Sequence, residues 1–171
     1  ILNKLRLLLL LGLVSVQVMA CDNSGNPVSK SSKIILVTGA TGTQGGAVAR
    51  ELVKRGYSVQ GLSRNPGSQR ALKLTELGIR VIKGDFDDAA SLDAAMQDVY
   101  GVFAVTNYWE HGFEREIAHG KQLVDAAERA GVKHFVFSSV AGADSDSDLP
   151  HFDSKAQIEA HLRNSVVEYT I

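Results

Sequence analysis

One cysteine, Cys21, stands in 171 residues, so no disulfide can close within the chain. Basic residues are not in excess: 18 Lys and Arg face 19 Asp and Glu, for a net charge of −1. The basic footprint of a nucleic-acid-binding domain is therefore missing. Five histidines, at 111, 119, 134, 151 and 161, form no H-x-x-x-H pair, so no metal-ligand spacing is evident. No apolar run reaches the roughly 20 residues a membrane-crossing helix needs. There is also no acid between Leu52 and Thr75, an absence that bears on ligand choice below.

Hydrophobic residues make up 44% of the chain, enough for one domain with a sizeable core. The most informative stretch is Ile34-Ile35-Leu36-Val37-Thr38-Gly39-Ala40-Thr41-Gly42-Thr43-Gln44-Gly45-Gly46. A short apolar run enters a glycine turn, and residues 47–55 leave it with helical spacing. The glycines read G-x-x-G-x-x-G, a variant of the dinucleotide fingerprint. Gly39 can take the positive φ of a sharp turn. Gly42 has no Cβ to keep a pyrophosphate away, and Gly45 lets the helix pack close to the strand. The helix N-terminus then offers free N–H groups to phosphate. The plainer alternative is a glycine-rich turn with no ligand.

Strand patterns recur at 57–63, 80–83, 99–106 and 134–138, and a sixth begins near 166. Helical patterns separate them at 69–77, 87–96, 113–130 and 154–163. Residues 99–106 are nearly all apolar, as in a parallel strand covered on both faces. The alternation predicts an α/β, doubly wound parallel sheet of Rossmann type, order 3-2-1-4-5-6. The final strand reads as cut before its continuation, so a C-terminally truncated domain is expected. Gly39, Thr41, Gly42, Thr43, Gln44, Gly45, Arg64, Asp85, Thr106 and Ser138 all fall at strand C-termini, where such a sheet forms its ligand crevice. Residues 107–112 are expected to be a loop whose aromatics line a pocket or pack beneath it.

The second strand's tip decides between cofactors. An NAD-binding unit places Asp or Glu there for the ribose 2′-hydroxyl; here Arg64 follows Ser63. A guanidinium can pair with a 2′-phosphate, which points to NADP(H). The alternative is a solvated loop charge.

The first residues have a different character. Lys4 and Arg6 precede the apolar stretch 7–14, and Val18-Met19-Ala20-Cys21 follows. The layout is that of a signal peptide over residues 1–20. It resembles the lipobox of bacterial lipoproteins, which implies a lipid on Cys21; Asp22 resembles an inner-membrane retention signal. Residues 21–33, rich in Ser, Asn and Gly, read as a flexible tether, and 34–171 as the domain. The expected location is a membrane-anchored bacterial lipoprotein. Other readings of the leader are an uncleaved anchor or a mistranslated upstream stretch, and the alternative location is cytoplasmic.

From Lys33 to Ile171 the chain resembles the NmrA-like family, an atypical branch of the short-chain dehydrogenase/reductase superfamily. The likeness rests on Val37-Thr38-Gly39-Ala40-Thr41-Gly42-Thr43-Gln44-Gly45 and Gly84-Asp85-Phe86-Asp87-Asp88. It continues through Val102-Phe103-Ala104-Val105-Thr106-Asn107-Tyr108-Trp109, His134-Phe135-Val136-Phe137-Ser138-Ser139-Val140 and His151-Phe152-Asp153-Ser154-Lys155. It implies an NADP(H)-binding Rossmann domain with Arg64 on the 2′-phosphate, Asp85 and Phe86 beside the adenine, and Lys155 at the nicotinamide ribose or substrate. It also implies a smaller C-terminal substrate lobe that this sequence does not contain.

Other superfamily members pair a Tyr with a Lys four residues later; here His151 precedes Lys155 by four. An imidazole can exchange protons near neutral pH, and Ser138 or Ser139 can orient a carbonyl. The bland alternatives are strand-end serines, a loop histidine and a solvated helix lysine. Two functions follow from the resemblance. One is a redox-sensing binding protein that answers NADP(H) by changing its affinity for a regulated protein partner. The other is an NADPH-dependent oxidoreductase acting on a quinone or small carbonyl compound. A third is a Rossmann relic without cofactor.

Overall fold

A computed structural model describes residues 32–143 and 149–171. The elements run β1 (Ile34–Val37), α1 (Thr43–Lys54), β2 (Ser58–Ser63), α2 (Gln69–Glu76), β3 (Arg80–Lys83) and α3 (Ala89–Ala95). They continue β4 (Val99–Ala104), α4 (Tyr108–His111), α5 (Phe113–Arg129), β5 (His134–Phe137), α6 (Pro150–Arg163) and β6 (Tyr169–Thr170). All pairings are parallel, and the order is β3-β2-β1-β4-β5-β6. This is the doubly wound sheet that the alternating pattern predicts.

Each face of the sheet carries its own apolar cluster, although on the α1 side β4 and β5 are only partly covered and Phe103 and Val136 line an open groove of about 720 Å³. Val37, Ala40, Ala49, Val59, Leu74 and Ile79 bury α1 and α2 against one face. Leu92, Met96, Leu123, Val124, Phe135, Phe137, Ile158 and Leu162 join α3, α5 and α6 on the other. Burying a side chain of this size is worth about 1.5–3 kcal/mol. At the point where chain direction diverges, Thr38 ties β1 to β4. Its buried hydroxyl accepts from the Val105 N–H at 2.8 Å and donates to the Val105 carbonyl at 3.1 Å. That seam fixes the crevice at the strand C-termini.

Three helical stretches differ from the sequence reading. Helix α1 starts at Thr43 rather than at residue 47, because Thr43, Gln44, Gly45 and Gly46 give no apolar spacing. Residues 108–111, expected as loop, form the single helical turn α4, closed by a 2.7 Å bond from the Gly112 N–H to the Tyr108 carbonyl. One turn is too short to show a period. Helix α6 starts at Pro150, four residues earlier than its apolar spacing indicates. Proline needs no N–H bond at a first helical position, and the Phe152 and Asp153 N–H groups bond the Leu149 carbonyl. The leader, the lipid site at Cys21 and the tether up to residue 31 lie outside the described residues. Among the described residues no helix is long and apolar enough to cross a membrane.

Candidate functional site

The strand C-termini open into a cleft of about 730 Å³, a size typical of small-molecule sites, roughly 300–1,000 Å³. Its floor is the glycine turn. Gly39 has φ 59° and accepts from the Gly42 N–H at 2.9 Å, which folds the chain into the start of α1. A Cβ on Gly45 would strike the carbonyl oxygens of Thr38 and Gly39. A Cβ on Gly42 would meet only Gly39 O, at 3.2 Å. Gly45 thus serves the helix–strand contact, and Gly42 leaves backbone bare.

The predicted binding residues Gly39, Thr41, Gly42, Thr43, Gln44, Gly45, Arg64, Asp85, Phe86 and Thr106 all line this cleft. Lys155, Ser138 and His151 are not among its lining residues. Gln44 Nε2 donates to Ser138 Oγ at 2.6 Å, a link between the N-terminus of α1 and the end of β5. Ser139 Oγ donates to Glu159 of α6.

Lys155 is held from below. Its Nζ lies 2.6 Å from Thr106 Oγ1 and 2.8 Å from Glu116 Oε1. Glu116 is fully buried and also accepts from Thr106 Oγ1 at 2.8 Å and Ser154 Oγ at 2.5 Å. Burial pushes the Glu116 carboxyl up, but bonds from Lys155, Ser154 and Thr106 outweigh it and leave the group below its ordinary value. A charged carboxylate with three donors is thus the hub joining α5, α6 and the end of β4. Its place in the apolar stripe with Gly120, Leu123 and Ala127 was the available signal in the sequence.

The cleft holds residues that sequence reasoning missed. Asn65, Ser68 and Arg70 follow Arg64 in the lining, and Asn107, Glu110, His111 and His119 join it from the α4 turn and α5. Arg64 Nη2 donates to Glu110 Oε1 at 2.7 Å. His119, nearly buried, lies edge-on to Phe86, and its Nε2 is 2.8 Å from Asp87 Oδ1. Bonds from Arg115 and His119 hold the Asp87 carboxyl far below the usual range. The carboxylate accepts, so His119 Nε2 donates. His151, on the first turn of α6, sits in a ring cluster with Tyr108, Trp109 and Phe152, centroids 4.5–6.0 Å from its own. Among the described residues, no three His, Cys, Asp or Glu side chains gather to hold a metal.

A glycine turn feeding a helix at the crossover of a 3-2-1-4-5-6 parallel sheet defines a Rossmann-type domain. The chain belongs to the NmrA-like family, whose model matches residues 31–171. An NmrA-like family domain-containing protein of Dictyostelium discoideum is 42% identical over 139 residues, 77% of this chain and 45% of that protein. An NmrA-like family domain-containing oxidoreductase of Aspergillus hancockii is 36% identical over 82% of this chain and 45% of its own length. The chain thus spans under half the length of these relatives. Among solved structures, the NADPH-dependent quinone oxidoreductase of Escherichia coli, complexed with NADPH, is 30% identical with a TM-score of 0.70, covering 80% of this chain and 46% of that one. The Citrobacter sp. triphenylmethane reductase complexed with NADP(H) is 28% identical with a TM-score of 0.71, covering 80% and 47%.

Proposed function

We propose that this chain binds NADP(H) in the cleft and serves as a cofactor-sensing protein. One observation carries the reading: the bare glycine turn at the α1 N-terminus and the arginines 64 and 70 line the same cleft. The turn would receive the pyrophosphate, with Thr41, Thr43 and Gln44 beside it. Arg64, with Asn65, Ser68 and Arg70, would receive the 2′-phosphate. Asp85 and Phe86 would border the adenine, and Thr106 the nicotinamide ribose. The donors are guanidinium, backbone N–H, hydroxyl and amide groups, which suit a dinucleotide phosphate.

Sensing is preferred to catalysis because of Lys155. Its ammonium is paired with Glu116 and Thr106 and is not among the cleft's lining groups, and His151 stands where superfamily enzymes carry a Tyr. The competing reading is an NADPH-dependent oxidoreductase. The ring cluster of Tyr108, Trp109, His151 and Phe152, set edge-on and tilted, favours it, since the exposed Trp109 would offer a face to a planar acceptor such as a quinone. Bound NADPH would supply the hydride; the chain would position the acceptor. Following NADPH absorbance with a water-soluble quinone separates the two. Binding without turnover is expected, and steady NADPH consumption by the purified chain would overturn the sensing role.

The leader belongs to this proposal as well. Lipidation of Cys21 would put the domain at a membrane surface, and an intact mass lacking residues 1–20 and carrying acyl chains would be its signature. An unmodified N-terminus on the cell-derived protein would overturn it.

A further inference from the structure

The acid that the tip of β2 lacks arrives from across the cleft. Glu110, on the single turn α4, accepts from Arg64 Nη2 at 2.7 Å through Oε1 and from Asn107 Nδ2 at 3.3 Å through Oε2. His111 Nε2 stands 3.7 Å from the same carboxylate. Arg64 and Glu110 are 61% and 46% exposed at their side chains, so ligand can reach both. Both line the cleft, as do Asn65, Ser68 and Arg70.

NAD(H) and NADP(H) differ at the adenosine end by one group. A ribose 2′-hydroxyl donates to a carboxylate. A 2′-phosphate has no such proton to give at neutral pH, and its charge is repelled by a carboxylate a few ångströms away. It must also draw the guanidinium from an existing partner. We infer that Glu110 is a specificity-determining residue of the cleft: it receives the 2′-hydroxyl of NAD(H), opposes the 2′-phosphate of NADP(H), and so narrows the preference that Arg64 creates. This rests on the dinucleotide reading above. Its consequence is a chain that takes both cofactors, with the phosphate form ahead by less than the arginines alone would give.

The test uses ligands that carry only this end. The full chain and its Glu110→Gln variant are titrated calorimetrically with adenosine 2′,5′-bisphosphate and with 5′-AMP. The ratio of affinities, bisphosphate over AMP, should rise about three- to tenfold in the variant, from tighter bisphosphate and weaker AMP binding. Glu110→Asp keeps the charge and should keep the ratio nearer to that of the parent chain. A ratio unchanged within about twofold in Glu110→Gln overturns the inference, including the case where both ligands weaken together, as a purely structural role would produce. If the folded parent chain binds neither these ligands nor NADPH, the cofactor reading fails and this inference with it. Binding with an unmoved ratio removes this inference alone.

Discussion

Gly42 and Gly45 serve one turn in separable ways. A methyl on Gly42 presses on a single carbonyl at 3.2 Å, at a φ of −92° that alanine also adopts. Gly42→Ala should keep the melting temperature within a few degrees and weaken NADPH on the order of tenfold. Fluorescence of Trp109, exposed on α4 between the cleft residues Asn107 and Glu110, reads the binding; a large loss of stability would show that Gly42 serves the fold instead. Glu116 behaves differently because it is buried with its partner. Glu116→Gln leaves Lys155 without a counter-charge and should cost about 3–5 kcal/mol in urea unfolding. A cost under about 1 kcal/mol would mean that the ammonium escapes to water. At this scale the sequence was half legible. Arg64 could be read because a missing acid at a strand tip is a local fact. Its partner Glu110 stands 46 positions on, on a turn too short to have a period. The pair of Lys155 and Glu116 likewise joins two helices, and local spacing cannot announce it.

Elements form where a cap and a stripe agree. Ser68 caps α2 by accepting from the Ala71 N–H at 3.3 Å, and Asp88 caps α3 by accepting from the Ser91 N–H at 3.2 Å. Ser68→Ala should therefore cost about 1 kcal/mol. Because Ser68 also lines the cleft with Arg64 and Arg70, its loss should weaken NADPH more than NADH if the proposed 2′-phosphate site is there; equal weakening would show capping alone. Helix α1 depends on its contact with β1 instead. Gly45→Ala forces a methyl against two backbone carbonyls and should destabilise by about 1–3 kcal/mol, which a shift in the urea midpoint measures. Strands and long helices were legible because each repeats its period several times. β3 matches its predicted span, 80–83, and α5 differs from 113–130 by its last residue. Helix α6 was cut short in the reading because its first turn carries His151 and Asp153, which give no apolar stripe, and its start is set by proline.

At the scale of the molecule, alternation and handedness pointed to a parallel, doubly wound sheet; the glycine fingerprint selected the Rossmann order, and the crevice position followed from it. The chemistry inside the crevice depends on charges that the fold collects. Three carboxylates in or near it govern behaviour in acid. Asp87, Glu110 and Glu116 have folded-state pKa values below their ordinary ones. Each contributes stability that is fully present above the ordinary carboxylate value and is lost as pH falls through the lower folded value. Stability should hold down to roughly pH 5 and decline below it. Arg115→Ala, which frees Asp87 from one donor, should flatten that decline, and an identical acid profile would show that the Asp87 cluster adds nothing. The cleft itself is tested most directly by titrating the chain with NADPH and NADH. NADPH should bind more tightly, and Arg64→Ala should weaken it about ten- to hundredfold, the worth of one charge-assisted bond of about 1.5–3 kcal/mol, with NADH little changed. Folded chain that binds neither nucleotide, or that loses both equally on Arg64→Ala, would contradict a 2′-phosphate site at the tip of β2.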